Sequence, residues 1–202
     1  MDLSIIIPCH NLEKWIDPLI SSLLIQKFEY DIELIFILDN CTDHTNQKIL
    51  APEYSQYDSV KIVEVQAGAC GLARNYGIDR ARGEYIWFID GDDWLIGPAA
   101  INTVLSTIKS KNAQIIKFDY EAPKFDFYGY PSMVWQYCMR RDLIGDLRFL
   151  PIQPHEDVKF MGSILCDLPD KPFFLNEKIY HYNFMREGSN MQQFRTKGSI
   201  DL

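Results

Sequence analysis

Five short polar clusters, most of them at the end of an apolar run, hold the side chains with which this chain could do chemistry. The densest is Asp90-Gly91-Asp92-Asp93, directly after Tyr85-Ile86-Trp87-Phe88-Ile89. Three neighbouring carboxylates repel one another, and a hard divalent cation relieves that repulsion. Mg²⁺ or Mn²⁺ takes one or two carboxylates and completes its shell with substrate phosphates. Asp-Gly between apolar runs is also a hairpin-turn signal, a plainer reading that leaves the extra Asp92-Asp93 pair without a use. Asp39 ends the run Glu33 to Leu38 in the same way, and the following Asn40-Cys41-Thr42-Asp43 suits helix capping as well as ligand contact. Pro8-Cys9-His10-Asn11 turns the chain after the first apolar run.

Two further segments suit phosphate and proton chemistry. Gly68-Ala69-Cys70-Gly71-Leu72-Ala73-Arg74-Asn75 puts a glycine-rich loop ahead of a helix with Arg74 in its first turns. Free backbone N–H groups and a guanidinium fork both match a diphosphate, although an ordinary loop with a surface arginine has the same composition. Neither G-x-G-x-x-G nor G-K-[ST] is present, which excludes the dinucleotide and P-loop fingerprints. Pro154-His155-Glu156-Asp157 opens the apolar segment Val158 to Leu165. Acidic residues at a helix start complement its dipole. A carboxylate held there and shielded from water can also accept a hydroxyl proton, typically worth ~10² to 10⁴ in rate.

The elements that must position these clusters follow from periodicity. Leu3 to Ile7, Ile32 to Leu38, Val60 to Val65, Tyr85 to Ile89 and Ala113 to Phe118 are short and rich in Ile, Val, Leu or Phe, as strands buried on both faces are. Helices are predicted between them: one opened by Asp17-Pro18 with Leu19, Ile20, Leu23 and Leu24 on its apolar face, then Thr42 to Leu50, Leu72 to Ala81 and Pro98 to Lys109. This alternation predicts an α/β fold with a mostly parallel sheet flanked by helices. Ligands of such sheets bind beyond the carboxyl ends of the strands, where these polar clusters fall. After Asp119 aromatic residues crowd between Phe118 and Tyr137 and periodicity is lost. Residues 1–119 are therefore expected to form the binding core, and 120–202 a smaller irregular region packed on it within one compact unit.

Composition narrows the class further. The chain has 202 residues, 47% hydrophobic against 24% charged, enough to bury a core and too apolar for disorder. A formal charge of -8 argues against a nonspecific grip on nucleic acid. Five cysteines without C-x-x-C spacing, and no amino-terminal signal peptide, predict reduced thiols in a cytoplasmic setting. No apolar run approaches the ~18 residues that span a bilayer, so membrane contact is expected to be peripheral.

Taken together, these segments resemble glycosyltransferase family 2, inverting enzymes of the GT-A (Rossmann-like) fold that use nucleotide-diphospho-sugars. Ser4-Ile5-Ile6-Ile7-Pro8-Cys9-His10-Asn11 is similar to the family's S-I-I-I-P-x-Y-N, and Glu33 to Thr45 to its E-I-I-x-V-D-D-x-S-T-D-x-T. Gly71 to Gly83 resembles the A-R-N-x-G-I segment, and Gly83 to Leu95 resembles G-E-Y-I-x-F-L-D-x-D-D. Trp135 to Phe149 with Glu156-Asp157, and Tyr180 to Asn190, are similar to the family's later segments. Two positions depart from the pattern: Leu38 replaces the first aspartate of a pair, and His10 replaces tyrosine.

The resemblance implies site roles residue by residue. Pro8, His10 and Asp39 would contact the nucleoside, with Asp39 at a uracil-type base, and Gly71, Arg74 and Gly91 would line the nucleotide-sugar site with Arg74 near the diphosphate. Asp90 and Asp92 would hold Mn²⁺ or Mg²⁺, with Asp93 orienting them. Asp157 would be the catalytic base with Glu156 beside it, and Arg186 and His181 would reach the leaving group or the metal. Implied partners are a UDP-linked sugar donor and a saccharide or lipid-linked acceptor of bacterial surface polysaccharide synthesis at the inner membrane face. A noncatalytic nucleotide-sugar-binding protein is the alternative. A sugar nucleotidylyltransferase is disfavoured because its amino-terminal glycine-rich loop is missing.

Overall fold

In a computed structural model of the chain, residues 1–51, 59–122, 133–152, 155–184, 187 and 189 are described. Four parallel strands form the heart of the fold: β1 (Leu3–Cys9), β2 (Ile32–Asp39), β3 (Val60–Val65) and β4 (Tyr85–Phe88). They lie in the order β3-β2-β1-β4, with Leu3 opposite both Ile32 and Tyr85. Every residue of β1 and β2 is buried, as expected for strands covered on both faces.

The sheet continues through β7 (Tyr137–Arg140), β6 (Ile115–Glu121), β8 (Phe173–His181) and β5 (Trp94–Leu95), giving eight strands in the order β3-β2-β1-β4-β7-β6-β8-β5. β7 is antiparallel to β4 and β6, β8 is parallel to β6, and β5 is antiparallel to β8. The sheet is thus mixed, its parallel part lying toward the β3 edge.

Side chains alternate across the sheet and feed two cores. Leu3, Ile5 and Ile7 pack with α1 (Ile16–Leu24) and α4 (Ala100–Lys111), through Leu19, Leu23, Ile101 and Leu105. Ile6, Ile35 and Phe88 face the other way, onto Ala73 and Ile78 of α3 (Cys70–Ile78) and Phe160 and Ile164 of α6 (Glu156–Cys166). Two short helices, α2 (Thr45–Ile49) and α5 (Arg141–Ile144), and a 3₁₀ turn at Val134–Gln136 complete the described elements. None of these helices is long and apolar enough to cross a membrane.

The strands run where periodicity placed them, with informative shifts at their ends. β1 extends through Pro8 to Cys9. Ile6, on the same side of the strand as Pro8, accepts the bond from Ile89 N at 3.0 Å, and the β1–β4 register ends there. Proline's missing N–H therefore removes no ladder bond. α1 begins at Ile16 rather than after Asp17, because Leu12 O accepts from both Trp15 N (2.8 Å) and Ile16 N (2.9 Å). Pro18 then falls within the first turn, where helical N–H groups lack partners anyway. α2 is shorter than the predicted 42–50, since Asp43 takes Thr45 N at 3.0 Å and starts the helix later. β6 carries on through Asp119 to Glu121 with a register irregularity at that point. Of the crowded aromatics, Phe118, Trp135 and Tyr137 are buried, while Phe125, Phe127, Tyr128 and Tyr130 fall outside the described residues.

One buried carboxylate ties the opposite rim of the sheet. Glu33, 1% exposed, accepts from Ser4 Oγ, Arg82 N and Lys61 Nζ, each at 2.6 Å, joining β1, β2, β3 and the loop before β4. Burial by itself would raise its pKa, but bonds from Lys61, Ser4 and Arg82 outweigh that and hold it at about 2, against an ordinary 4.5. A depressed carboxyl stabilises the fold above its unfolded pKa, and that contribution disappears as pH falls toward the folded value. Glu33→Gln should therefore cost about 1–3 kcal/mol at pH 7. In urea unfolding, the gap to the parent protein should narrow below pH 4.5. A constant gap at every pH would assign the loss to shape rather than charge.

Candidate functional site

The carboxyl ends of β1, β2, β3 and β4 meet the amino-terminal ends of α3 and α6. Asp39, the last residue of β2 and 4% exposed, spans to the loop after β3: its carboxylate accepts from Ala67 N (2.7 Å) and Gly68 N (2.9 Å). The backbone carbonyl of Asp39 accepts from His10 Nδ1 at 2.7 Å, which fixes the proton on that nitrogen and joins the β1 and β2 ends. Asn11 and Asn40, both in the left-handed region at φ 50° and 47°, make the sharp turns there. Pro8 closes the same corner. A Cβ on Gly91 would lie 2.4 Å from Leu12 Cδ1 and 3.1 Å from Pro8 O, so this glycine lets the acidic turn dock against the β1 end.

Arg74 is the hub. Its side chain is 3% exposed, with Nη2 2.7 Å from Asp90 Oδ1, and Nη1 2.8 Å from Asp157 Oδ1 and 3.4 Å from Glu156 Oε1. The guanidinium also lies 5.4 Å from the centre of the Phe149 ring. Its Nε–H is buried without an acceptor among the described residues. The predicted base and the predicted metal carboxylate thus share one cation. Burial pushes the Asp157 carboxyl up, Arg74 pulls it back down, Glu156 and Asp90 raise it again, and a bond from Val134 N (3.2 Å) lowers it, leaving about 6 against an ordinary 3.8.

Two small residues of α3 let α6 come this close. A Cβ on Gly71 would stand 2.9 Å from Phe149 Cβ and 3.1 Å from Glu156 Cγ. Asn75 gives Nδ2 to Phe149 O (2.9 Å) and takes Phe149 N on Oδ1 (2.8 Å), pairing with that backbone as a strand would. The residue before α6, His155, sits at φ 84°, where a non-glycine backbone is strained.

The acidic turn is closed by Asp93 N donating to Asp90 O at 3.1 Å. Asp93, 1% exposed, accepts from Tyr180 OH on Oδ2 (2.6 Å) and from Asn183 N on Oδ1 (2.7 Å). Among the described residues no group of three or more His, Cys, Asp or Glu is arranged to hold a metal. The donor chemistry still suits Mg²⁺ or Mn²⁺ in the sparing way those ions bind: Asp93 is committed to protein donors, while half-buried Asp92 and the second oxygen of Asp90 supply two carboxylates to be completed by a diphosphate. His181 lies on β8, stacked on Trp94 at 3.9 Å between ring centres and 3.9 Å from Glu121 Oε2; Arg186 and Pro154 lie outside the described residues.

Of the predicted residues, Arg74, Asp90, Glu156 and Asp157 meet at one guanidinium, Pro8 and Gly91 pack at the β1 end, and His10 and Asp39 join the β1 and β2 ends, while His181 lies on β8. Asn75, Phe149 and Tyr180 were not singled out by chemistry, although Asn75 stands in the A-R-N segment and Tyr180 opens the last matched one.

An α/β sheet of this order, covered by helices and with its polar strand ends on one rim, is a GT-A fold. The sequence model "Glycosyl transferase family 2" matches residues 4–162, and the chain belongs to that family. It is 34% identical over 216 residues to the poly(ribitol-phosphate) beta-N-acetylglucosaminyltransferase TarS of Staphylococcus aureus, covering 95% of this chain and 37% of that protein. With the minor teichoic acid biosynthesis protein GgaB of Bacillus subtilis it shares 25% over 219 residues, covering 95% of this chain and 24% of that one. The match to the uncharacterized glycosyltransferase EpsJ of Bacillus subtilis, 40% over 93 residues, covers 46% of this chain and 26% of that protein. The chain therefore spans about a quarter to a third of these relatives. The crystal structure of S. aureus TarS 1-349 in complex with UDP-GlcNAc superposes with a TM-score of 0.83 at 21% identity, over 95% of this chain and 61% of that one. The mannosyltransferase PcManGT of Pyrobaculum calidifontis, with GDP-Man and Mn²⁺, superposes at 0.75 and 13% identity over 96% and 60%.

Gly71→Ala should push α6 off α3 and lower transfer at least tenfold, since a displacement of about 1 Å at a catalytic group can cost ~10² in rate. Asn75→Ala should lower it for the same reason. Turnover assays on folded protein, verified by circular dichroism, check both; full activity in Gly71→Ala would mean that this contact does not position Asp157.

Proposed function

We propose that the chain is an inverting glycosyltransferase that moves a sugar from a UDP-linked donor to a hydroxyl of a saccharide or lipid-linked acceptor in bacterial surface polysaccharide synthesis. The single observation that carries this reading is Asp157, a carboxylate raised to about 6 and held by Arg74 within one guanidinium of Asp90. A base poised there is ionised at neutral pH yet basic enough to take a proton from an attacking hydroxyl. The names of TarS and GgaB, and the UDP-GlcNAc in the TarS structure, support the donor and the polymer class.

In this reading Asp157 accepts the acceptor's proton as its oxygen attacks the anomeric carbon from the side opposite the nucleotide, and the sugar inverts. Glu156 stands beside it and shares Arg74. Pro8, His10 and Asp39 frame the nucleoside. Gly71 and Gly91 serve the site by allowing its walls to close. Arg74 offers its unpartnered Nε–H to a diphosphate oxygen while its Nη groups hold the carboxylates. Asp90 and Asp92 would hold Mn²⁺ or Mg²⁺, which when bound neutralises charge on the departing diphosphate. Residues 1–119 would serve the donor and the remainder the acceptor, with the enzyme working at the inner face of the plasma membrane.

A thermal-shift panel of UDP-, GDP- and TDP-sugars with and without Mn²⁺ tests donor class, because a ligand of the native state raises apparent stability. UDP-sugars with Mn²⁺ should give the largest shift, and equal shifts from all three would remove the uridine assignment. Asp157→Asn should retain that shift and lose transfer by ~10² or more. In the parent enzyme kcat/KM should fall tenfold per pH unit below about 6, as Asp157 takes up its proton. A flat profile down to pH 5 would move the base elsewhere.

A further inference from the structure

Tyr180 is placed with a precision its motif does not explain. It ends β8 but one, is 0% exposed, and its ring stacks on Trp135 at 4.7 Å and 8°. Trp135 is itself fixed, its carbonyl accepting from Trp87 Nε1 at 2.9 Å. From that platform the phenol oxygen reaches both ends of the acidic turn. It donates to Asp93 Oδ2 at 2.6 Å and accepts from Asp90 N at 3.2 Å. The backbone N–H of Asn183, three residues on, takes the other Asp93 oxygen at 2.7 Å.

We propose that Tyr180 is a positioning residue for the Asp90–Asp92 cation site: one hydroxyl, braced by Trp135, holds the height and pitch of the turn that presents those two carboxylates. It rests on the metal role given above to Asp90 and Asp92. Within the turn Asp93 N donates to Asp90 O. Its anchors include Arg74 on the Asp90 side chain and Tyr180 with Asn183 on Asp93 and the Asp90 backbone. Removing the phenol hydroxyl strands a buried Asp93 oxygen and the Asp90 backbone N–H together. Asp93 therefore acts as a root of the turn, and Tyr180 as the residue that grips it.

The same brace reaches the other half of the site. Val134, the neighbour of Trp135, gives its N–H to Asp157 Oδ2 at 3.2 Å. Tyr180, Trp135 and Val134 thus form a second physical link between the cation turn and the base, separate from Arg74.

Tyr180→Phe removes the hydroxyl and keeps the ring on Trp135. Mn²⁺ titrations followed by electron paramagnetic resonance, with UDP present, should show at least tenfold weaker binding than the parent. The acid limb of kcat/KM should stay in place because Asp157 keeps its own partners, which a general loss of structure would not leave intact. If Tyr180→Phe does not fold, Asp93→Asn breaks the grip from the carboxylate side and should weaken Mn²⁺ by the same factor. Mn²⁺ affinity within twofold of the parent in a folded variant overturns the positioning role. A parent protein that binds no Mn²⁺ with UDP removes the cation site itself, and with it this proposal.

Discussion

Arg74 sits almost wholly out of water with three carboxylates around it, and the rest of the site is arranged about that fact. A buried guanidinium without partners would be prohibitively costly, and breaking such a pair by removing one member commonly costs about 3–5 kcal/mol. Arg74 therefore fixes where Asp90, Glu156 and Asp157 can stand, 16, 82 and 83 residues away along the chain. Gly71, one turn of α3 before Arg74, leaves room for Glu156 of α6, and Asn75, the next residue along, holds the backbone of Phe149, whose ring lies against the guanidinium. The acidic turn after β4 and the start of α6 are therefore electrostatically one unit.

That unit also explains the state of Asp157. Asp157 is raised by burial and by its acidic neighbours and restrained by Arg74, so it settles between a surface carboxylate and a buried acid. In the acidic turn Asp93 is held by Tyr180 and Asn183, while Asp90 faces Arg74.

Much of this was legible in the residues. The apolar runs of β1, β2 and β4 need burial on both faces, which dictates a covered, largely parallel sheet and sends polar strand ends to one rim, whereas β3, read the same way, lies at the sheet edge and is only half-buried. Asp39, Arg74, Asp90 and Asp157 were found that way and from their resemblance to the family. What periodicity could not show was what each side chain touches across tens of residues. Gly71 and Gly91 read as loop glycines beside a ligand, yet their missing side chains make room for Phe149, Glu156 and Leu12. Asp17-Pro18 read as a helix start, but bonds from Leu12 O begin the helix at Ile16. Tyr180 was legible only as the first residue of the last matched segment; the sheet order, which carries β8 next to β5 and past the acidic turn, shows what its hydroxyl touches.

The most direct test of the shared cation is a carbon-13 NMR titration of the Asp157 carboxyl in the parent protein and in Arg74→Gln. The account predicts a midpoint near 6 in the parent and a higher one in the variant, because Arg74 is the charge that lowers it. A midpoint that does not move when the arginine is removed would contradict it.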